Sequence, residues 1–145
     1  MALLTVFTPT YNRAHLLPRL YESLKNQSVK DFVWLIIDDG STDHTSEIVK
    51  SWINDNELEI KYVFQQNQGM SGAHNTAYRN IQTEFNTCID SDDAIPPNGV
   101  EIILEEIKTI FDDPKVAGLI GLDATFDGKI LGSSFPDNLT FATLQ

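Results

Sequence analysis

Cysteine is nearly absent: Cys88 is the one thiol in 145 residues, so no disulfide can form within the chain. One cysteine and three scattered histidines (His15, His44, His74) also exclude a cysteine-rich zinc site. Basic residues are scarce, with 10 Lys and Arg against 21 Asp and Glu and a net charge of -11. A nucleic-acid partner or an anionic-membrane surface is therefore not expected, since both call for clustered cations. An anionic small ligand remains compatible if a metal cation bridges it to the carboxylates. No apolar run approaches the ~20 residues of a membrane span. The N-terminus has no basic stretch ahead of an apolar one, so no secretory signal is expected and the cytosol is the default location. The strings Asn26-Gln27-Ser28 and Asn138-Leu139-Thr140 match the glycosylation sequon and are read as chance. Glycine-rich phosphate loops are missing too: neither G-x-G-x-x-G after the first strand nor G-x-x-x-x-G-K-[ST] occurs.

What is present is alternation. Leu3 to Thr8 is β-prone, and Leu16, Leu17, Leu20, Tyr21 and Leu24 follow at helical spacing, with Pro18 in the first turn where its missing N–H costs little. Phe32 to Ile37 is a continuous apolar run, as in a strand buried on both faces. Ser41, Thr42 and Asp43 offer caps for a helix whose stripe is Ile48, Val49, Trp52 and Ile53. Ile60 to Phe64 reads as a third strand. A short helix to about Ile81 comes next, then a fourth strand from Phe85 to Ile89, with Cys88 as a small core residue. Pro96-Pro97-Asn98 opens a helix with Val100, Ile103, Leu104, Ile107 and Phe111 on one face. Val116 to Leu122 is expected as a fifth strand. Asp127-Gly128 is expected to turn a hairpin between Ala124–Phe126 and Lys129–Leu131. Strand and helix alternating four times predict a mainly parallel sheet with helices on both faces.

Ligands of open α/β sheets sit beyond the carboxyl ends of the strands, and the polar clusters fall there. They are Thr8-Pro9-Thr10-Tyr11-Asn12-Arg13, Asp38-Asp39-Gly40-Ser41-Thr42-Asp43, Gln65-Gln66-Asn67-Gln68-Gly69 and Asp90-Ser91-Asp92-Asp93. Three carboxylates within four residues repel unless a cation neutralises them, and hard oxygen ligands suit Mg²⁺ or Mn²⁺. The alternative is a solvated turn capping the next helix. Asp39 could accept a base N–H or serve as a cap. Tyr11 beside Pro9 offers a flat face for a heterocycle, or packs in the core. Arg13 could reach a diphosphate, or lie on the surface. A phosphoacceptor domain also places acids at strand ends, but it needs a Lys after strand five, where Leu122-Asp123 stands.

These four clusters, with Asn67-x-Gly69-x-x-x-Ala73-x-Asn75 as the third, resemble in order and spacing the family 2 glycosyltransferases of the Rossmann-like GT-A fold. The likeness covers residues 1 to 122. It implies that Pro9, Tyr11 and Asp39 contact the nucleotide base, usually uracil. It implies further that Asn67, Gly69, Ala73 and Asn75 line the donor site and that Asp90-Ser91-Asp92 is the D-x-D motif. Within that motif Asp92, with Asp90, would hold a divalent metal on the diphosphate, and Asp90 would lie near the ribose. His74 departs from the Arg common in the family, leaving a cation contact there unassigned. The resemblance implies a metal-dependent, inverting transfer from a nucleoside diphosphate sugar, of the UDP type, to a hydroxyl of a glycan or lipid-linked acceptor. The alternative is a nucleotide-sugar-binding module without turnover.

Residues 1–145 are thus expected as one GT-A domain, truncated before the acceptor half. Residues 1–122 would form the nucleotide-sugar-binding core, and 123–145 a hairpin and the start of the acceptor region. The catalytic base is expected beyond Gln145, with Asp123 and Asp127 better explained as hairpin acids. A cytoplasmic setting, peripheral at the inner membrane face in a longer protein, and self-association through an apolar edge complete the expectations.

Overall fold

A computed structural model describes residues 2–113, 115–119 and 121–132. Among these residues four strands and four helices alternate: β1 (Leu4–Thr10), α1 (Leu17–Lys25), β2 (Phe32–Asp38), α2 (Thr45–Asp55), β3 (Ile60–Phe64), α3 (Gly69–Asn80), β4 (Phe85–Cys88) and α4 (Gly99–Ile110). The strands form one sheet in the order β3-β2-β1-β4, and every pairing is parallel. This is the predicted α/β, Rossmann-like GT-A architecture. The register sets Thr10 beside Asp38 and Asp38 beside Phe64, so the carboxyl ends of β1, β2 and β3 share one rim.

The sheet is covered on both faces, unequally. On one side, Leu17, Leu20, Tyr21 and Leu24 of α1, Val49 and Trp52 of α2, and Val100, Leu104 and Ile107 of α4 pack on Leu4, Val6, Phe32, Trp34 and Ile36. Tyr21 and Trp52 stack there with ring centres 4.3 Å apart, and the buried indole N–H of Trp34 donates to Thr8 Oγ1 at 3.0 Å. On the other side, among the described residues, α3 supplies Ala73 and Ala77 against Phe7, Leu35 and Ile37. All seven residues of β2 are buried, which is why its stretch carries no apolar–polar alternation. Pro18 lies in the first turn of α1, as its spacing predicted.

Two expectations are corrected. Cys88 is exposed rather than core. Among the described residues its strand pairs with β1 alone, and the alternating pattern of β4 leaves Asn86 and Cys88 outward. Val116 to Leu122 forms no strand among the described residues. A strand exists only if its amides find a ladder partner, and Gly118 and Gly121 further weaken the run.

The chain divides into two compact units, the first ending at Lys108 and the second starting at Thr109. The second contains the expected hairpin: Ala124 and Ile130 bridge antiparallel, and Gly128 takes φ +84° in the turn. Residues 133–145, with Pro136 and the second sequon, lie outside the described residues.

Candidate active site

The rim begins with the loop after β1. Asn12 adopts φ 53°, in the left-handed region that asparagine tolerates. That turns its side chain towards the loop after β2, where Oδ1 accepts from Thr42 N at 2.8 Å, while its own N–H donates to Ser41 Oγ at 2.8 Å. Asp43 completes the tie, accepting from Ala14 N at 3.0 Å and from Thr45 N and Oγ1 at the start of α2. Of the cap candidates Ser41, Thr42 and Asp43, it is Asp43 that binds the first residue of α2, while the N-cap position itself is His44, which makes no side-chain cap. Burial would raise the Asp43 pKa, but these donated hydrogen bonds outweigh it and hold the carboxyl below its ordinary value. The loops after β1 and β2 thus behave as one piece, with Tyr11 half exposed above them and Pro9 half-buried.

The two acids ending β2 point to opposite faces and do different things. Asp38 is fully buried, and its two oxygens accept from Ser41 N at 2.8 Å and from the Tyr62 hydroxyl at 2.5 Å. Burial first, and then this bond, raises the Tyr62 pKa above its ordinary value. Asp38 is spent inside the fold. Asp39 is also buried, at 4% exposure. Its N–H donates to Thr10 O at 2.9 Å, and its carbonyl accepts from Asn67 Nδ2 at 2.8 Å. Its Oδ1 accepts from Gln65 Nε2 at 2.6 Å and from Gln68 N at 2.9 Å. Oδ2 takes no hydrogen bond among the described residues and keeps solvent access. Gly40 makes the wrapping possible: it has φ +85°, and a Cβ there would lie 2.9 Å from Asn67 N.

Asn67 and Gly69 form the approach to α3, with Gly69 at φ 74°. Ala73 is buried against the sheet, where its small side chain lets α3 lie close. Asn75 is exposed and lines an open hollow with Met70, Ser71 and His74. The His74 ring sits edge-on to Phe7, with centroids 5.4 Å apart.

At the fourth cluster, Arg13 reaches across from the first loop. Its Nη1 donates to the buried Ser91 Oγ at 3.1 Å and to Asp92 Oδ1 at 3.1 Å. Arg19 Nη1 lies 3.4 Å from Asp92 O. The crowded carboxylates are thus partly balanced by the chain's own guanidinium. Asp90 is exposed, and the thiol of Cys88 lies 3.8 Å from its Oδ1. No group of three metal-binding side chains exists among the described residues. Asp90 and Asp92 are both exposed, and a pair of carboxylates is as many as a Mg²⁺ site usually takes from protein. Asp123 and Asp127 belong to the hairpin: the carbonyl of Asp123 accepts from Leu131 N, and the carboxylate of Asp127 from Thr125 Oγ1. That bond holds the Asp127 carboxyl below its ordinary pKa.

The structure therefore gathers Pro9, Tyr11, Arg13, Asp39, Asn67, Gly69, Ser91 and Asp92 on linked loops of one rim. The family model described as "Glycosyl transferase family 2" matches residues 5–118. The chain belongs to glycosyltransferase family 2. Chondroitin synthase of Escherichia coli is 35% identical over 106 residues, which are 73% of this chain and 15% of that protein. A GalNAc(5)-diNAcBac-PP-undecaprenol beta-1,3-glucosyltransferase of Campylobacter jejuni is 33% identical over 73% of this chain and 35% of its own length. The chain thus spans well under half of either relative. Among solved structures, S. aureus TarS 1-349 in complex with UDP matches with TM-score 0.70 and 30% identity, over 77% of this chain and 33% of that one. The mannosyltransferase PcManGT from Pyrobaculum calidifontis, in complex with GDP-Man and Mn2+, matches with TM-score 0.66 and 27% identity, over 79% and 33%.

Sequence reasoning left Asn12, Gln65 and Gln68 without individual roles. The signal for Gln65 was available: it follows Val63 by two, so in a strand it shares that residue's face, the face on which α3 and Asp39 lie.

Proposed function

We propose that this family 2 chain binds a nucleoside diphosphate sugar, of the UDP type, for inverting transfer to a hydroxyl of a glycan or lipid-linked acceptor in glycan synthesis. The observation that carries the reading is Asp39: a buried carboxylate at a strand end with one oxygen fixed by protein donors and the other left open. A ring N–H of the base fits that oxygen, and Tyr11, exposed alongside Pro9, offers the stacking face. Arg13 and the Ser91–Asp92 turn lie where a diphosphate would follow. A divalent Mg²⁺ or Mn²⁺ held by Asp92, with Asp90, would stabilise the charge on the departing diphosphate. Arg13, now paired with Asp92, would exchange that partner for phosphate oxygens, which it can bind in a bidentate manner. The acceptor hydroxyl needs a general base within hydrogen-bond reach. No described residue is assigned that role: the Asp127 carboxylate is engaged in the hairpin turn, and Asp123 is a flank of the same hairpin. UDP- and GDP-Man-bound neighbours support a nucleotide-sugar donor, and the Mn2+ of PcManGT supports the metal.

The test is thermal unfolding with UDP in Mn²⁺ or in EDTA. At about 100 times Kd, linkage stabilises the folded state by about 2.7 kcal/mol. The shift should appear with Mn²⁺ and largely vanish in EDTA. Equal shifts in both would remove the metal from the proposal.

A further inference from the structure

We infer that Gln65 is the residue that sets which base the site accepts, by occupying one oxygen of Asp39; this rests on Asp39 as the base reader. Each carboxylate oxygen has two in-plane acceptor positions. On Oδ1 both are taken, by Gln65 Nε2 at 2.6 Å and by Gln68 N at 2.9 Å. Asp39 therefore presents to a ligand the acceptor positions of Oδ2 alone. The orientation of the Gln65 amide is imposed by this contact. Turned over, it would set its carbonyl against the carboxylate, and as it stands its Oε1 is buried with no partner among the described residues. A buried acceptor left unpaired is unfavourable, so the bond to Asp39 is what holds the side chain in place.

The consequence is a distinction between bases. Uracil offers a single ring N–H, flanked by two carbonyls, and a one-oxygen acceptor matches it. Guanine offers two neighbouring donors, its ring N–H and its amino group, which pair best with both oxygens of a carboxylate at once. With Oδ1 saturated, the second guanine donor would have to displace Gln65 or go without an acceptor. Cytosine would bring its ring nitrogen lone pair against the carboxylate. Gln65 thus favours uracil by subtraction: it removes the acceptor that guanine needs. It is a positioning residue, acting on the base through Asp39.

The experiment is calorimetric titration of the 145-residue chain in Mn²⁺ with UDP, GDP and N3-methyl-UDP, on wild type, Gln65→Met and Asp39→Asn. Methionine keeps the length of the side chain and removes the donor. Wild type should favour UDP over GDP by at least about tenfold, equivalent to ~1.4 kcal/mol. Gln65→Met should weaken UDP several-fold while leaving GDP unchanged or tighter, so that the ratio falls about tenfold. Equal weakening of both nucleotides, or no change in either, would overturn the assignment to Gln65 and leave Asp39 standing. If instead Asp39→Asn bound UDP as tightly as wild type, and N3-methyl-UDP bound like UDP, the base-reading role of Asp39 itself would fall. Should Gln65→Met fail to fold by circular dichroism, the wild-type ratio still decides: no preference for UDP over GDP overturns the proposal.

Discussion

The ends of β2 and β4 carry nearly the same letters, Asp38-Asp39 and Asp90-Ser91-Asp92-Asp93, yet the fold treats them in opposite ways. After β2, both acids are buried and hydrogen-bonded, to backbone amides, a tyrosine hydroxyl and a glutamine amide. After β4, it is the serine that is buried, while the acids stand exposed and Asp92 faces a guanidinium at 3.1 Å. Both neighbours of β2 are strands, so its end is enclosed by the loops after β1 and β3; among the described residues β4 has one strand neighbour, β1. Acidic residues at strand ends are therefore not one device. Those in the middle of the sheet are buried and held by fixed donors, and those after β4 stay exposed, one of them beside a guanidinium.

Stability should separate the two regions most sharply. Asp38→Ala leaves the Tyr62 hydroxyl and Ser41 N–H without their acceptor, and it should cost about 3 kcal/mol in urea unfolding at neutral pH. If Asp38→Ala unfolded at the wild-type urea midpoint, the claim that the β2 acids are built into the fold would fail. A smaller effect should appear with pH. The Tyr62 pKa is raised in the folded state, by burial and then by Asp38. The protonated phenol therefore contributes stability that is fully present below its unfolded pKa of about 10 and is lost as pH rises beyond that, towards the folded value. Tyr62→Phe should flatten this alkaline limb in melting curves between neutral pH and pH ~11. An unchanged limb would mean that other groups control it. Smallest should be Asp92→Ala. An exposed ion pair is worth about 0–1 kcal/mol, so its melting temperature should stay close to wild type, while the Mn²⁺-dependent part of the UDP shift disappears. A large loss of stability would place Asp92 with the β2 acids and erase the contrast.

The order of strands and helices was legible because each apolar run has one period: unbroken in Phe32–Ile37, 3.6 in α1 and α4. Legibility failed where a run depends on a neighbour. Val116–Leu122 has the apolar character of a strand, but composition cannot supply a ladder partner. Cys88 lies in a run that looks buried, but burial there requires something covering the edge. At the site, the four rim clusters could be read from position alone. The roles within them could not: Asp38 and Asp39 are indistinguishable as letters, and only β-strand alternation sends one towards Tyr62 and the other towards Gln65.

The sequence by itself determined the parallel α/β sheet, the rim on which its polar residues meet and the family those motifs mark, because periodicity and strand-end placement are local properties. Tertiary structure decided which acid is spent inside the fold, which keeps one oxygen open and which faces a guanidinium. Those roles depend on partners far away in sequence: Gln65 comes to Asp39 across 26 residues and Arg13 to Asp92 across 79. A carboxylate's chemistry is set by its donors and its burial, and both are assembled only when the sheet closes.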